Sequence, residues 1–284
     1  MTPAELSLPA AYGELAGLRI GHPGAPRVIA LHGWLDNAAS FLPLLPHLPP
    51  LDLLLLDFPG HGRSAHLPPG AEYALPSYIH AVLDAADALG WDRFALLGHS
   101  MGAAVAAMAA VAVPERIERL ALIETVGPLS EEADAAPARL RQAVAAARAL
   151  REKRLRVFPD LEVAVRARVQ ASPMQPASAR LLVERGTHPV DGGHIWSSDP
   201  RLTLPGALRL DEARVQAMLR ALQCPLHIVL AHQAQPYFPQ GQRQARLDLL
   251  PQAGVSAIDG GHHLHMDQPA EVGAAVSPFL QPDG

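Results

Sequence analysis

The stretch Gly98-His99-Ser100-Met101-Gly102 sets a hydroxyl between two glycines. An apolar run precedes it and an alanine-rich segment follows. A serine at the tip of a strand-to-helix turn is held in a tight, strained backbone, its hydroxyl raised clear of the sheet. Gly98 and Gly102 carry no Cβ, so strand and helix can approach closely. The turn also aims the Met101 N–H, at a helix N-terminus, toward a bound carbonyl. Alone, the pentapeptide is equally an ordinary loop; its flanking strand and helix favour a nucleophile.

Serine attacks only if a base takes its proton and an acid orients that base. In a sheet of this kind the chain order is nucleophile, acid, histidine, with the histidine after the last strand. There the chain reads Gly260-Gly261-His262-His263-Leu264-His265. His262 follows the glycine pair directly and is the candidate base. His263 and His265 are then supporting or surface groups. The competing reading is a metal site made of these three histidines. Adjacent histidines in a short loop rarely converge on one ion, and no cysteine or carboxylate spacing elsewhere matches a zinc site. Neither a metal nor a cofactor is expected.

The acid is less obvious. Its usual place is the turn after the apolar run 226–231, which reads His232-Gln233-Ala234-Gln235 and has no carboxylate. Glu124 stands instead at the end of the preceding run, Leu120-Ala121-Leu122-Ile123. Strand C-termini are where active sites form in open parallel sheets. An acid directly after buried apolar residues also needs a partner. Glu124 is the candidate acid; the alternative is that it caps or bridges to an arginine of the helical segment that follows. An oxyanion needs two N–H donors, and the pair expected is Trp34 and Met101, with Gly33 permitting the turn. Asp57, in Asp57-Phe58-Pro59-Gly60-His61-Gly62, reads as a turn-fixing residue.

The elements that must hold these groups follow from periodicity. Residues 14–20 and their upstream neighbours read as a hairpin. Continuous apolar runs at 27–31, 51–56, 93–97 and 117–123 read as parallel strands covered on both faces. Helical periods at 78–89 and 103–113 separate them. Between 125 and 205 the pattern changes to helices at 131–157, 161–169 and 177–186, then a Gly/Pro/Ser-rich loop at 188–205. A helix at 211–222, strands at 226–231 and 255–258 and a helix at 270–280 complete the chain. The alternation implies a mostly parallel α/β sheet. Residues 1–125 and 206–284 are expected to form its core, with 126–205 an inserted helical cap.

Composition narrows the class. With 284 residues and 49% hydrophobic content the chain can build one large α/β domain. A net charge of −5 argues against nucleic acid as a partner. No long uncharged apolar segment predicts a membrane span, and the N-terminus has no signal-peptide pattern, so a cytoplasmic location is expected. The single cysteine, Cys224, begins an apolar run and reads as a buried structural thiol. Prolines number 28, and Lys153 is the only lysine among the basic residues; both biases are read as coding preference.

In order, His32-Gly33-Trp34, Asp57 through Ser64, Gly98-His99-Ser100-Met101-Gly102 and Gly261-His262 resemble the α/β-hydrolase fold over nearly the whole chain. Within that superfamily the chain is most similar to the serine hydrolase-like proteins. The likeness rests on His32 through Asn37, Arg185-Gly186-Thr187, Trp196, Asp199-Pro200-Arg201-Leu202 and His262-x-x-His265-Met266. The resemblance implies a Ser–acid–His hydrolase. The commoner superfamily pattern has Asp where Ala234 stands, and some members place the acid after the earlier strand, as Glu124 would be. Haloalkane dehalogenases and epoxide hydrolases use an Asp nucleophile, unlike Ser100. The expectation is an esterase for a small to medium uncharged carboxylic ester, working as a monomer or homodimer. Gly33, His99 and Trp196 are the candidate substrate contacts, with Met174 beside them in the cap. The alternatives are a catalytically weak binding protein on this scaffold, and a lyase or C–C hydrolase with the same triad.

Overall fold

A computed structural model describes residues 3–150 and 156–281. The chain opens with an antiparallel hairpin, β1 (Ala4–Ala10) and β2 (Gly13–Ile20). It continues through β3 (Arg27–Leu31), β4 (Asp52–Leu56), α1 (Leu75–Ala88), β5 (Phe94–His99), α2 (Met101–Ala112) and β6 (Ile117–Ile123). The next segment carries α3 (Ala136–Leu150), α4 (Leu161–Ala171), α5 (Pro176–Gly186) and the strands β7 (Thr187–Val190) and β8 (Gly193–Trp196). Then follow α6 (Glu212–Arg220), β9 (Leu226–Ala231), α7 (Gln240–Leu247), β10 (Gly254–Ile258), α8 (Leu264–Asp267) and α9 (Pro269–Leu280).

Eight strands form one sheet in the order β1-β2-β4-β3-β5-β6-β9-β10. The ladders from β4 to β10 are all parallel; the β1-β2 hairpin adds antiparallel to β4. Side chains alternate between the two faces of a strand. Ile29, Leu54, Leu96 and Leu122 therefore enter the core under α1, α2 and α6, while Val28, Leu55, Leu97 and Ile123 enter the one under α9 and the 38–47 segment. That two-sided burial is why these strands read as unbroken apolar runs.

Two departures from the sequence reading have clear causes. Residues 188–205, expected as a loop, contain the β7-β8 hairpin, turning at Asp191-Gly192. Asp-Gly is a strong two-residue hairpin signal, and Gly192 takes the positive φ, 82°, that such a turn requires. Helix α7 carried no apolar period because arginines occupy its buried positions, Arg243 and Arg246. The helix expected over 131–157 is α3 after a short 3₁₀ turn; 151–155 lie outside the described residues. Cys224 is partly buried against the core, and burial raises its thiol pKa. Among the described residues no helix is long and apolar enough to cross a membrane.

The segment between β6 and β9 has its own apolar cluster, Phe158, Ala164, Val165, Met174, Leu182 and Val183, capped by Met266. Polar anchors tie it to the sheet. Arg185 Nη2 lies 2.8 Å from Asp57 Oδ2, both buried. Arg168 pairs with the buried Asp36. Tyr73 donates its hydroxyl to Asp199 at 2.8 Å, and the carboxylate of Asp199 also pairs with Arg201. Asp57 accepts the Arg63 and Ala38 N–H groups as well, so one carboxylate fixes the glycine-rich turn and holds α5.

Candidate active site

Parallel pairing sets the site at the C-terminal ends of β3, β5, β6 and β9. The turn after β5 is tight: a Cβ on Gly102 would lie 2.0 Å from the Leu31 carbonyl oxygen, and one on Gly98 2.5 Å from Ala103 Cα. Only glycine fits where the start of α2 crosses the end of β3. Ser100 at the tip takes φ 51° and ψ −115°.

Ser100 Oγ lies 2.9 Å from His262 Nε2. On the other side of the ring, His262 Nδ1 lies 3.3 Å from Glu124 Oε2. Glu124 is 3% exposed, and its other oxygen accepts the Ala231 N–H. Its own N–H donates to Val229 O at 2.9 Å. The end of β9 thus holds Glu124 twice, by its backbone N–H and by one carboxylate oxygen. Glu124 also sits at φ 62°, and the other non-glycine residues with positive φ among those described are Ser100 and Leu35. All three lie in the loops after β3, β5 and β6 that surround the serine. Left-handed backbone at ordinary residues persists where the surroundings over-determine it, and it clusters at functional sites.

Gly33 and Trp34, the loop expected to supply one oxyanion donor, follow β3 beside the Ser100 turn. Met101 opens α2, so its N–H is one of the first-turn donors that lack an intrahelical acceptor. Trp34 is 53% exposed, and its indole N–H donates to Leu202 O at 2.8 Å. That bond fixes the loop against the segment carrying Asp199 and Arg201.

The remaining candidates are arranged differently from expectation. His99, taken as a substrate contact, is fully buried and engages the His262 carbonyl oxygen through Nε2 at 2.8 Å. It supports the histidine loop from beneath. His263 and His265 are buried too, not surface groups; the His265 ring lies tilted against the His99 ring at 4.0 Å between centroids. Burial pushes the pKa values of His99 and His265 well below the usual histidine range, so both stay neutral. Under this layer sits Asp36, with His263 Nε2 at 3.3 Å. Burial would raise its pKa, but His263, Arg168 and His99 prevail and hold it well below the usual range. Among the described residues no cluster of three or more such side chains has the geometry to hold a metal ion. Trp196 and Met174 lie in the apolar cluster of the segment between β6 and β9, Trp196 edge-on to Phe158 at 5.2 Å.

The sequence reading missed two groups. Asp36 was visible only as part of the His32-to-Asn37 motif, with no hint of its burial. Tyr237 follows β9, in the loop searched only for carboxylates, and its hydroxyl lies 3.1 Å from His262 Nδ1.

The family model described as the alpha/beta hydrolase fold matches residues 26–171. A serine hydrolase-like protein of Danio rerio is 31% identical over 98% of this chain and 89% of its own length. The chain belongs to the α/β-hydrolase fold family, among the serine hydrolase-like proteins. A crystal structure of a hypothetical protein from Pseudomonas aeruginosa is 46% identical to this serine hydrolase-like chain. The match covers 99% of both chains with a TM-score of 0.91. A thioesterase domain from the curacin biosynthetic pathway is 25% identical, with a TM-score of 0.84 over 96% of this chain.

Proposed function

We propose that this serine hydrolase-like chain hydrolyses a small to medium, uncharged carboxylic ester through a Ser100–His262–Glu124 triad. The observation that carries the reading is the pair of contacts on one imidazole: Ser100 Oγ at 2.9 Å from Nε2 and Glu124 Oε2 at 3.3 Å from Nδ1. A buried, doubly held carboxylate on Nδ1 favours the tautomer whose bare Nε2 can take the serine proton. Attack by Ser100 Oγ on the acyl carbon forms the tetrahedral intermediate as His262 accepts that proton. The N–H groups of Trp34 and Met101 receive the oxyanion. Collapse breaks the bond to the leaving alkoxide, which takes the proton from His262, and leaves Ser100 acylated. Water then attacks the acyl-enzyme with His262 as base, releasing the carboxylic acid and restoring the serine.

The substrate class rests on the surroundings. Trp34 and Tyr237, the two exposed aromatic side chains beside the triad, present apolar walls to an uncharged acyl or alcohol group. Residues 126–205 serve as a cap held by the Arg185–Asp57 and Arg168–Asp36 pairs, on a core of 1–125 and 206–284. Turnover of p-nitrophenyl acetate and butyrate, with a thioester alongside because of the thioesterase likeness, tests the reading. Loss of all turnover in Ser100→Ala is expected. Undiminished hydrolysis by Ser100→Ala would sink the assignment. A chain that turns over none of these substrates while Ser100 remains reactive belongs to the lyase or C–C hydrolase alternative.

A further inference from the structure

We propose that Tyr237 is a positioning residue for His262, its phenol oxygen sharing the Nδ1 proton with Glu124. The inference rests on the triad reading above. The loop after β9 reads His232-Gln233-Ala234-Gln235 and carries no carboxylate at its start, yet it does not leave the histidine bare. Three residues beyond Ala234, the Tyr237 hydroxyl reaches to 3.1 Å from Nδ1, with the phenol ring at 89° to the imidazole. One ring nitrogen therefore faces two oxygens, Tyr237 at 3.1 Å and Glu124 at 3.3 Å.

A ring nitrogen carries one proton or none. If the Ser100 hydroxyl is to donate to Nε2, Nδ1 must hold the proton and act as donor. The carboxylate and the phenol oxygen then both accept from it, in a bifurcated bond. The opposite arrangement, a phenol O–H donating to a bare Nδ1, would put the ring proton on Nε2 and leave His262 unable to take the serine proton. The buried carboxylate of Glu124 opposes that tautomer, because its charge is stabilised by an N–H and not by a lone pair. The charged imidazolium formed during attack gains most from two acceptors on Nδ1.

The mount of Tyr237 is built rather than incidental. Gln235-Pro236-Tyr237-Phe238 is a turn closed by the Phe238 N–H on Gln235 O at 2.9 Å, with proline at the second position to preset φ. The Phe238 ring is buried beneath the guanidiniums of Arg246, at 5.2 Å, and Arg243, at 6.0 Å. Arg243 also donates to the Ala231 carbonyl oxygen, and the N–H of the same Ala231 donates to Glu124. The end of β9 thereby braces both the Glu124 carboxylate, through Oε1, and the turn that carries Tyr237. Burial and the Glu124 charge push the Tyr237 pKa up to about 12, so the phenol stays neutral and adds no second charge. The other titratable groups beside the His262 ring include His99 at 4.8 Å and His263 at 5.4 Å between ring centroids, with the Arg243 guanidinium over the neighbouring Phe238 ring.

The test is the pH dependence of the rate at which a fluorophosphonate labels Ser100, in the intact chain and in Tyr237→Phe. This variant keeps the ring of a half-exposed residue and removes only the hydroxyl. The expected result is labelling slowed about three- to tenfold, as for loss of one hydrogen bond. The acid limb should also move to lower pH, because the imidazolium has lost one acceptor. The far-downfield ring N–H resonance of His262 should shift as well. An unchanged rate and unchanged acid limb overturn the proposal. So does an acid limb moved to higher pH, which would make the phenol a donor. Ser100→Ala and His262→Ala separate the two readings. If either still labels at the native rate, the triad fails and the role of Tyr237 falls with it. If both lose labelling while Tyr237→Phe behaves as the intact chain does, only the role of Tyr237 fails.

Discussion

Oε2 of Glu124, at the end of β6, lies 3.3 Å from Nδ1 of His262, a residue 138 positions further along the chain. Glu124→Gln keeps the shape of the side chain but replaces the charged acceptor with an amide. The amide can turn its NH₂ toward Nδ1 and stabilise the wrong tautomer. By analogy with loss of the orienting acid in other triads, kcat is expected to fall about 10²- to 10⁴-fold while the folded spectrum is retained. Steady-state kinetics on a p-nitrophenyl ester reads this directly. A rate within about threefold of the parent would mean that another group orients His262.

Arg246 is fully buried and stands where a helix of this kind normally carries an apolar residue. It donates to Val126 O at 2.7 Å and Pro128 O at 2.8 Å, and it pairs with Glu212 Oε2 at 2.8 Å. Burial alone would raise the Glu212 pKa, but bonds from Arg246, Ser130 and Gln242 pull it down to about 2. Arg246→Ala removes a buried charge and strands two carbonyl oxygens. The expected cost is about 3–5 kcal/mol of unfolding free energy, read from the urea midpoint. Arg246→Lys should recover only part of it, since an ammonium cannot span the carbonyls and the carboxylate with a planar fork. A midpoint unchanged in Arg246→Ala would contradict this role.

The buried histidines make stability depend on pH. Burial lowers the pKa of His32 to about 4 and of His61 to about 3, and it pushes His99 and His265 well below 6.5. Below about pH 6.5 the unfolded chain takes up protons at these rings and the folded chain does not, so the folded state loses stability as pH falls. Each ring contributes about 1.4 kcal/mol per pH unit until its folded pKa is reached. Asp36, with a depressed pKa, adds to the loss only at still lower pH, once its carboxylate is protonated. Urea midpoints should therefore drop steeply between pH 7 and pH 5. Equal midpoints at those two values would show that the rings are not held neutral.

Much of the fold was readable because its signals are local. Unbroken apolar runs such as Leu53 to Leu56 mark strands with two buried faces, and the chain order of Ser100, Glu124 and His262 follows from the topology those strands impose. What escaped depends on contacts between distant residues. The role of Arg243 and Arg246 in α7 is invisible to a search for apolar spacing, and the arginine-rich composition read as coding preference includes guanidiniums that hold the structure together. His99 was misplaced as a substrate contact because adjacency to Ser100 in sequence says nothing of direction: alternate residues at the end of a strand face opposite sides. Arg185, Asp199 and Arg201 carried the family likeness, and all three anchor the segment between β6 and β9: Arg185 to Asp57, Asp199 to Tyr73 and Arg201 to the carbonyls of Pro68 and Ala71.

Ser100 is an activated nucleophile only if His262 takes its proton. Treating the intact chain with a fluorophosphonate probe and locating the adduct by peptide mass spectrometry measures that without any assumption about the substrate. The triad predicts one adduct per chain, on Ser100, with none in Ser100→Ala and labelling slowed by at least about 100-fold in His262→Ala. An intact chain that stays unlabelled, or one labelled equally fast with His262 replaced, would contradict it.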